Sequence, residues 1–206
     1  LKKYADFIVR VGCNVQPQQT LIINASLEAA PLARLCVRSA FEAGARDVRV
    51  DWSDSAVSRA RMELASEETL CEVKPYVLRS YLDYAESEGG ACVLHLLADD
   101  PESMAGLDGG KISRVNAARR KALMPWREYT MNDRIQWCIA AMPSKPWAKK
   151  IFPELSEADA VEKLWQLIFD VCRVSGGDPV TEWQSHLARL DELGKKMNAL
   201  DLESLH

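Results

Sequence analysis

Histidine is scarce in this sequence, because only His95, His186 and His206 occur among 206 residues and no two of them are close together. The six cysteines include no Cys-x-x-Cys pair. Cys92 and His95 are three residues apart on an apolar run, and on a strand they would point to opposite faces. A metal ion needs several ligands that converge on one point, commonly from spacings such as His-x-x-x-His. The sequence therefore predicts no metal site within this chain.

A disulfide framework, a signal peptide and a membrane span are also missing from the pattern. Most cysteines stand inside apolar stretches such as Ile8–Cys13, which predicts buried thiols in a reducing compartment. Lys2, Asp6 and Arg10 interrupt the N-terminal segment, so it does not resemble a signal peptide. The longest apolar run, Ala91–Ala98, is far shorter than the ~18 residues that a membrane span needs. We therefore expect a cytoplasmic protein that does not cross a membrane.

An excess of positive charge is absent, because 26 Lys and Arg residues are set against 30 Asp and Glu residues and give a formal net charge of −4. No global positive field is available to hold a polyanion, which argues against nucleic-acid binding. The densest basic cluster flanks an apolar stripe with helical spacing, and this arrangement predicts a solvated helix face. The cluster consists of Lys111, Arg114, Arg119, Arg120 and Lys121.

Short catalytic and nucleotide-binding motifs are absent as well. The sequence contains no Gly-x-Ser-x-Gly nucleophile elbow, no Walker loop and no Gly-x-Gly-x-x-Gly loop. Gly89-Gly90 precedes an apolar run instead of following one, and the segment Gly106–Gly110 does not join a strand directly to a helix. We interpret both segments as turns.

The sequence does contain an alternation of strand and helix patterns. Apolar or alternating runs predict four strands near residues 20–24, 47–52, 91–97 and 135–142. Segments with helical spacing lie near residues 1–11, 31–44, 55–65, 74–87 and 108–124. Near-continuous apolar strands suit a sheet that is covered on both faces. The sequence thus predicts an α/β fold in which a mainly parallel central sheet of about four strands carries helices on both faces.

Residues 155–206 differ in character, because two long helical patterns follow each other there without a strand. They begin at Ser156 and at Asp178-Pro179, which read as helix caps. The second helix, about residues 179–201, carries an apolar stripe that we expect to pack on the sheet domain or on the preceding helix, since burial of a large apolar side chain is worth roughly 1.5–3 kcal/mol. An exposed stripe would instead indicate an interface with another domain or a second subunit. The stripe consists of Trp183, Leu187, Leu190, Met197 and Leu200.

Candidate functional residues follow from the predicted sheet, because ligands of parallel α/β folds bind outside the carboxyl ends of the strands. The segments 97–100 and 142–144 would gather at that edge. The candidates for substrate access or ligand contact are Asn24, Trp52, Asp54 and Ser144. A structural interpretation stays open, in which Asn24 caps a turn and Trp52 packs in the core. His95 is interpreted as a core histidine whose hydrogen bonds are satisfied.

Distinctive stretches occur in order over nearly all 206 residues. In the first part they are Val11-Gly12, Asn14–Pro17, Gln19-Thr20, Asn24-Ala25, Glu28–Leu32, Glu42–Ala45 and Asp47-Val48. In the second part they are Trp137-Cys138, Pro146–Pro153, Ala160–Trp165, Asp178-Pro179 and Leu205-His206. Together these stretches resemble the N-terminal domain of the thermophilic-type metalloaminopeptidases, the family of aminopeptidase T, aminopeptidase S and PepS.

The resemblance implies a cytoplasmic, homodimeric exopeptidase that removes N-terminal amino acids from peptides. It also implies two divalent metal ions, zinc or cobalt, held by glutamates, histidines and an aspartate of a C-terminal catalytic domain. In the family that domain begins just after the position that matches Leu205-His206, so none of the family's catalytic or metal-binding residues falls on this chain. We therefore expect residues 1–206 to be a single non-catalytic α/β domain of a longer chain, which shapes substrate access and dimer assembly. The start at Leu1 and the stop after a long helical pattern suggest the same expectation.

Two other functions stay open. The chain could be an independent small-ligand-binding α/β module, as many doubly wound sheets are, or an interaction domain without a role in proteolysis. A reading frame that continues into a domain rich in His and Glu would support the aminopeptidase interpretation. A natural stop codon after His206 would support the independent module, and an exposed apolar face on the last helix would fit the interaction domain.

Overall fold

The computed structural model describes residues 1–200 and 204. Within them, the strands β1 (Thr20–Ser26), β2 (Asp47–Ser53), β3 (Ala91–Leu97) and β4 (Trp137–Ala141) form one sheet. All neighbouring strands are parallel, and their order is β2-β1-β3-β4. The predicted parallel α/β sheet is therefore confirmed. β4 is shorter than the predicted range 135–142.

Ten α-helices surround the sheet in the described part of the chain. They are α1 (Lys2–Phe7), α2 (Ala30–Glu42), α3 (Ser55–Leu64), α4 (Glu67–Cys71), α5 (Pro75–Glu86), α6 (Gly109–Ala122), α7 (Met124–Met131), α8 (Lys145–Ile151), α9 (Glu157–Val171) and α10 (Pro179–Asn198). A π-helical turn, Ile8–Gly12, extends α1, and a 3-10 turn, Leu27–Ala29, precedes α2. The helices α4, α7 and α8 were not predicted. The two long C-terminal helices are confirmed, while Leu205, His206 and the predicted helix end at residue 201 lie outside the described residues.

The main core covers one face of the sheet. Successive side chains of a strand point to opposite faces, so Leu21 and Ile23 of β1 share this face. Both side chains are fully buried. They join Leu32 and Cys36 of α2 in the same hydrophobic cluster, to which α1 contributes Tyr4. Burial of apolar area at about 25 cal/mol per Å² makes this cluster the main source of stability.

The opposite face of the sheet is more polar and carries α5. Tyr81 of α5 donates a hydrogen bond to Asp51 of β2, and Arg49 donates to the Ser80 carbonyl. Helices therefore cover both faces, as predicted. Asn24 lies on this second face, between Asp51 and His95 of the neighbouring strands.

The strand order places a topological switch point at β1. The chain leaves β1 for β2 on one side, and it later returns to the other side of β1 with β3. Crossovers that diverge from one strand leave a crevice outside its carboxyl end, and this crevice is the usual ligand position in open α/β sheets. In this chain the carboxyl ends of β1 and β3 define that position.

The helices α9 and α10 differ in how they attach to the sheet domain. Leu164 of α9 is 5% exposed, and the rings of Trp165 and Phe169 contact Tyr4. Trp183 holds the start of α10, since it stacks on Phe7 at 5.6 Å. Its Nε1 also donates to the Cys172 carbonyl at 2.7 Å.

Beyond Trp183 the apolar stripe of α10 is exposed, so the expectation that it packs on the sheet domain or on α9 is wrong. The exposed fractions are 53% for Leu187, 47% for Leu190, 50% for Met197 and 65% for Leu200. The physical reason is that α10 projects past its contacts with Phe7 and Cys172. No helix in the described residues is long and apolar enough to span a bilayer.

Candidate functional site

A cleft with a volume of about 380 Å³ opens at the carboxyl ends of β1, β2 and β3. Parallel registry aligns Asp51, Asn24 and His95 side by side, with Asn24 and His95 on the floor of this cleft and Asp51 of the edge strand β2 as one wall. The sequence produces this row because each of the three residues is the fifth of its strand, so the three side chains share one face. The remaining lining residues are Ala25, Ser26, Trp52, Ser53, Tyr81, Leu96, Leu97, Asp99 and Arg119.

Asp51 forms a rigid wall of the cleft. Its Oδ1 accepts a hydrogen bond from Arg49 Nε at 2.8 Å, and its Oδ2 accepts one from the Tyr81 hydroxyl at 3.0 Å. The Arg49 guanidinium lies 4.9 Å from the centre of the Tyr81 ring, which adds a cation–π contact. Burial and the negative charge of Asp51 raise the pKa of Tyr81, so its hydroxyl stays protonated as a donor. Both oxygens of Asp51 are thus engaged within the wall.

Three polar side chains of the cleft make no hydrogen bond to any described residue. They are the carboxamide of Asn24, the imidazole of His95 and the hydroxyl of Ser26. Ser26 is only 1% exposed and occupies the N-cap position of the turn Leu27–Ala29, yet its side chain makes no capping bond. Buried polar groups are nearly always hydrogen-bonded, and an orphan one requires an explanation.

His95 is half-buried on the cleft floor and is not the satisfied core histidine that the sequence predicted. Its neighbour Cys92 lies in the main core on the other face, as expected from their spacing. Burial lowers the pKa of the His95 imidazole from its ordinary value of 6.5. Near pH 7 the ring is therefore neutral, with one donor and one acceptor nitrogen.

Opposite charges line the outer part of the cleft. Asp99 is an exposed carboxylate that accepts a 3.4 Å hydrogen bond from the Ser55 hydroxyl. Arg119 of α6 is exposed and lines the cleft. Its positive charge opposes the rise in the pKa of Tyr81, so Arg119 lies near the wall that Asp51 and Tyr81 form. Within the described part of the chain neither Asp99 nor Arg119 has an ion-pair partner within 4.0 Å.

Only two of the four predicted edge residues line this cleft. Asn24 forms part of the floor, and Trp52, 45% exposed, forms part of the rim instead of packing in the core. Asp54 caps α3 by accepting from the Val57 N–H at 2.9 Å. Ser144 is buried and caps α8. For these two residues the observed contacts are structural.

Ser26, Asp51 and Tyr81 were not predicted as site residues, and Arg119 was predicted only as part of a solvated basic cluster. Ser26 could have been found, because it follows Asn24 by two residues and so shares its face on a strand. Asp51 carried a similar signal in the alternation of β2. Tyr81 and Arg119 lie on helices, and their place at the cleft depends on helix packing that sequence spacing does not encode.

Two residues of the basic cluster on α6 are held by the α3–α4 region. Arg114 makes a two-pronged contact with Glu67, at 2.7 and 2.8 Å, and Lys111 donates to the Ala65 carbonyl at 2.8 Å. These contacts give the cluster a role within the fold. The absence of nucleic-acid binding stays a prediction.

No group of three or more His, Cys, Asp or Glu residues in the described ranges 1–200 and 204 could hold a metal ion. The polar residues of the cleft do not change this, because both oxygens of Asp51 are engaged and His95 belongs to no such group. The described residues therefore do not fit a metal centre, and the cleft is a candidate for binding an organic ligand.

Comparisons with known proteins all indicate the same family. The profile of the family described as thermophilic metalloprotease (M29) matches residues 1–206. Aminopeptidase 2 of Geobacillus stearothermophilus is 36% identical over 198 residues, which are 96% of this chain and 48% of that protein. Aminopeptidase AmpS of Bacillus subtilis is 34% identical and Aminopeptidase T of Thermus thermophilus is 33% identical, each over 100% of this chain and 50% of the relative.

A solved structure supports the same relationship. Wild-type AmpT from Thermus thermophilus matches this fold with a TM-score of 0.87 and 30% sequence identity. The match covers 100% of this chain and 50% of the AmpT chain. This chain thus spans about half the length of the relatives that it matches.

Proposed function

The chain belongs to the thermophilic metalloprotease (M29) family, and from this we propose that residues 1–206 form the N-terminal, non-catalytic half of a cytoplasmic metalloaminopeptidase. The whole protein would remove N-terminal amino acids from peptides. Residues 1–206 would act as a single α/β domain with a helical extension from residue 155, and would shape substrate access and homodimer assembly.

The family match over residues 1–206 carries the peptidase part of this proposal, and the exposed stripe of α10 supports an interface with the catalytic half. Leu187, Leu190 and Leu193 are 53%, 47% and 45% exposed, and together with Met197 they form one apolar face. Soluble proteins rarely leave such a contiguous apolar face in water, so it marks an interface. We assign the face to the catalytic half, because the relatives are about twice as long as this chain.

The catalytic metal ions, zinc or cobalt, would belong to that other half. In metallopeptidases such ions polarise the scissile carbonyl and activate the attacking water. The described residues of this chain lack a ligand cluster for them. We therefore assign no catalytic step to these residues, and we give them the roles of support and access.

The interaction-domain alternative predicts the same exposed stripe, so the stripe alone does not separate the two functions. The relatives favour a role in proteolysis, because they are named aminopeptidases and match this chain over its entire length. An independent ligand-binding module is less consistent with α10, because such a module would bury its own apolar face.

The test is hydrolysis of leucine p-nitroanilide with zinc or cobalt present. The 206-residue chain should show background activity, and a polypeptide that also carries the catalytic half after His206 should show metal-dependent turnover. Turnover by the 206-residue chain that survives repurification would contradict the non-catalytic role. A longer polypeptide without any metal-dependent activity would instead support the interaction domain.

A further inference from the structure

The geometry of the cleft points to a second binding function: we propose that it binds a free, zwitterionic α-amino acid. The site is formed by Asn24, Ser26, His95, Asp99 and Arg119, at the carboxyl ends of β1 and β3. This inference goes beyond the proposed function and does not depend on it, because it is carried by the residues of the cleft alone.

The position of the cleft is the first argument. β1 is the strand from which the crossovers diverge, since β2 lies on one side of it and β3 on the other. Asn24 and His95 are register partners across the β1–β3 pair, so both lie at the switch point. A crevice at this point of an open parallel sheet is the general ligand position of the fold.

The charges of the cleft are the second argument. The carboxylate of Asp99 and the guanidinium of Arg119 line it, and neither forms an ion pair within 4.0 Å with any described residue, although Asp99 accepts a 3.4 Å hydrogen bond from the Ser55 hydroxyl. An ammonium group fits the carboxylate, and a carboxylate group fits the two-pronged guanidinium. A ligand that carries both groups on one carbon would offer each residue its complementary charge, whereas a phosphate would meet one cation and the repulsion of Asp99.

The neutral polar groups between these charges are the third argument. Ser26 is 1% exposed, and its hydroxyl has no hydrogen-bond partner among the described residues. Asn24 and neutral His95 also offer unpaired donors and acceptors on the floor. Because Asp51 is already held by Arg49 and Tyr81, it contributes shape to the wall and leaves the ligand's ammonium to Asp99.

The size and rim of the cleft select the ligand side chain. A volume of about 380 Å³ is at the small end of ligand pockets, which suits a single amino acid. Leu97, which is 49% exposed and shares the face of His95, gives the rim an apolar surface on which an aliphatic or aromatic side chain can pack. We therefore expect leucine to be a suitable probe.

Calorimetric titration of the 206-residue chain with L-leucine tests the proposal directly. Saturable binding is expected, with affinity for leucinamide and for N-acetylleucine lower by about tenfold or more, since each analogue lacks one of the two charges. The imidazole resonances of His95, which lies on the cleft floor, should shift on titration. The imidazole resonances of His186, which lies outside the cleft, should not shift.

Substitutions test whether Arg119 and Asp99 bind the two charged groups of leucine. Arg119→Gln and Asp99→Asn should each weaken leucine binding by about tenfold or more. Arg120→Gln and Asp100→Asn, which alter neighbours outside the cleft, should leave it unchanged. All four positions lie at the surface or near it, and thermal unfolding curves verify that each variant folds.

Three results would overturn the proposal. They are the absence of saturable leucine binding, equal affinity for leucine and both analogues, and an equal loss of affinity in Arg120→Gln and Arg119→Gln. The analogue series uses the unmodified chain, so it decides the question even if a variant fails to fold. Peptidase activity does not enter this test, and its outcome is therefore separate from that of the proposed function.

Discussion

The hydroxyl of Tyr4 completes the hydrogen bonding of Ala141 on the outer edge of β4. It donates to the Ala141 carbonyl at 3.1 Å and accepts from the Ala141 N–H at 3.3 Å. β4 is an edge strand, so these backbone groups face away from β3. Tyr4 is 2% exposed, and water therefore has little access to this position. One side chain of α1 thus takes the place of a neighbouring strand.

Tyr4→Phe should destabilise the chain by about 1–3 kcal/mol, because it leaves the half-buried N–H and C=O of Ala141 without their partner while the ring contacts with Trp165 and Phe169 persist. Urea denaturation followed by circular dichroism measures the loss. Tyr76→Phe is the matched control, since Tyr76 is 71% exposed and should change the stability by less than about 0.5 kcal/mol. Equal stabilities of the two variants would show that the Tyr4 bonds are dispensable.

Gly12 is expected to tolerate no side chain. A Cβ at this position would lie 2.7 Å from Cys138 Sγ, which is inside van der Waals contact. Gly12→Ala should therefore cost about 1–3 kcal/mol through overpacking. Denaturant midpoints measure this cost, and Gly109→Ala, where nothing lies within 4 Å of the added Cβ, is the control.

A double variant tests whether the cause is this contact. Cys138→Ala removes the sulfur that the new methyl group would meet, so Gly12→Ala combined with Cys138→Ala should cost less than the sum of the single variants. Additive costs would assign the effect of Gly12→Ala to the backbone instead.

The sheet was predictable because its strands carry strong local signals. β1 and β3 are buried on both faces, and their nearly continuous apolar runs appear directly in the sequence. The predicted β4 began too early, because Ile135 is apolar and buried like a strand residue although the strand itself starts at Trp137. The short helices α4, α7 and α8 were missed because five to eight residues carry too little periodicity to show a helical stripe.

The candidate site was predictable only where it follows from strand ends. Asn24 and Trp52 could be placed at the carboxyl edge, but Arg119 was interpreted as part of a solvated basic face. Its position at the cleft depends on how α6 packs, which is a tertiary property. The stripe of α10 was identified correctly, yet its surroundings could not be read from periodicity, because the same stripe fits a core and an interface.

We expect His95 to make the free energy of unfolding depend on pH at values below 6.5, the ordinary pKa of histidine. Burial lowers the pKa of the folded-state imidazole from 6.5. Well above pH 6.5 the imidazole is neutral in both the folded and the unfolded state, so the unfolding free energy does not change with pH through this group. As the pH falls below 6.5, the unfolded chain binds a proton that the folded chain resists, so the free energy of unfolding decreases.

The measurement compares the unmodified chain with His95→Gln between about pH 5 and about pH 8. The difference in unfolding free energy should be constant at the upper end and should shift in favour of His95→Gln as the solution becomes more acidic. Carboxylates contribute equally to both proteins and cancel. A difference that does not vary with pH would show that His95 titrates normally in the folded state.

The exposed stripe of α10 should matter only when its partner is present. In the 206-residue chain, Leu190→Ser and Leu193→Ser should each change the unfolding free energy by less than about 0.5 kcal/mol, because these side chains are 47% and 45% exposed. Leu164→Ala on α9 is the buried control at 5% exposure and should cost about 2–5 kcal/mol. In a polypeptide that carries the catalytic half, the two serine variants should lower the thermal midpoint and the aminopeptidase activity, since they place a hydroxyl in an apolar interface. If Leu190→Ser is as costly as Leu164→Ala in the 206-residue chain, the stripe is buried there already and the catalytic half is not its partner.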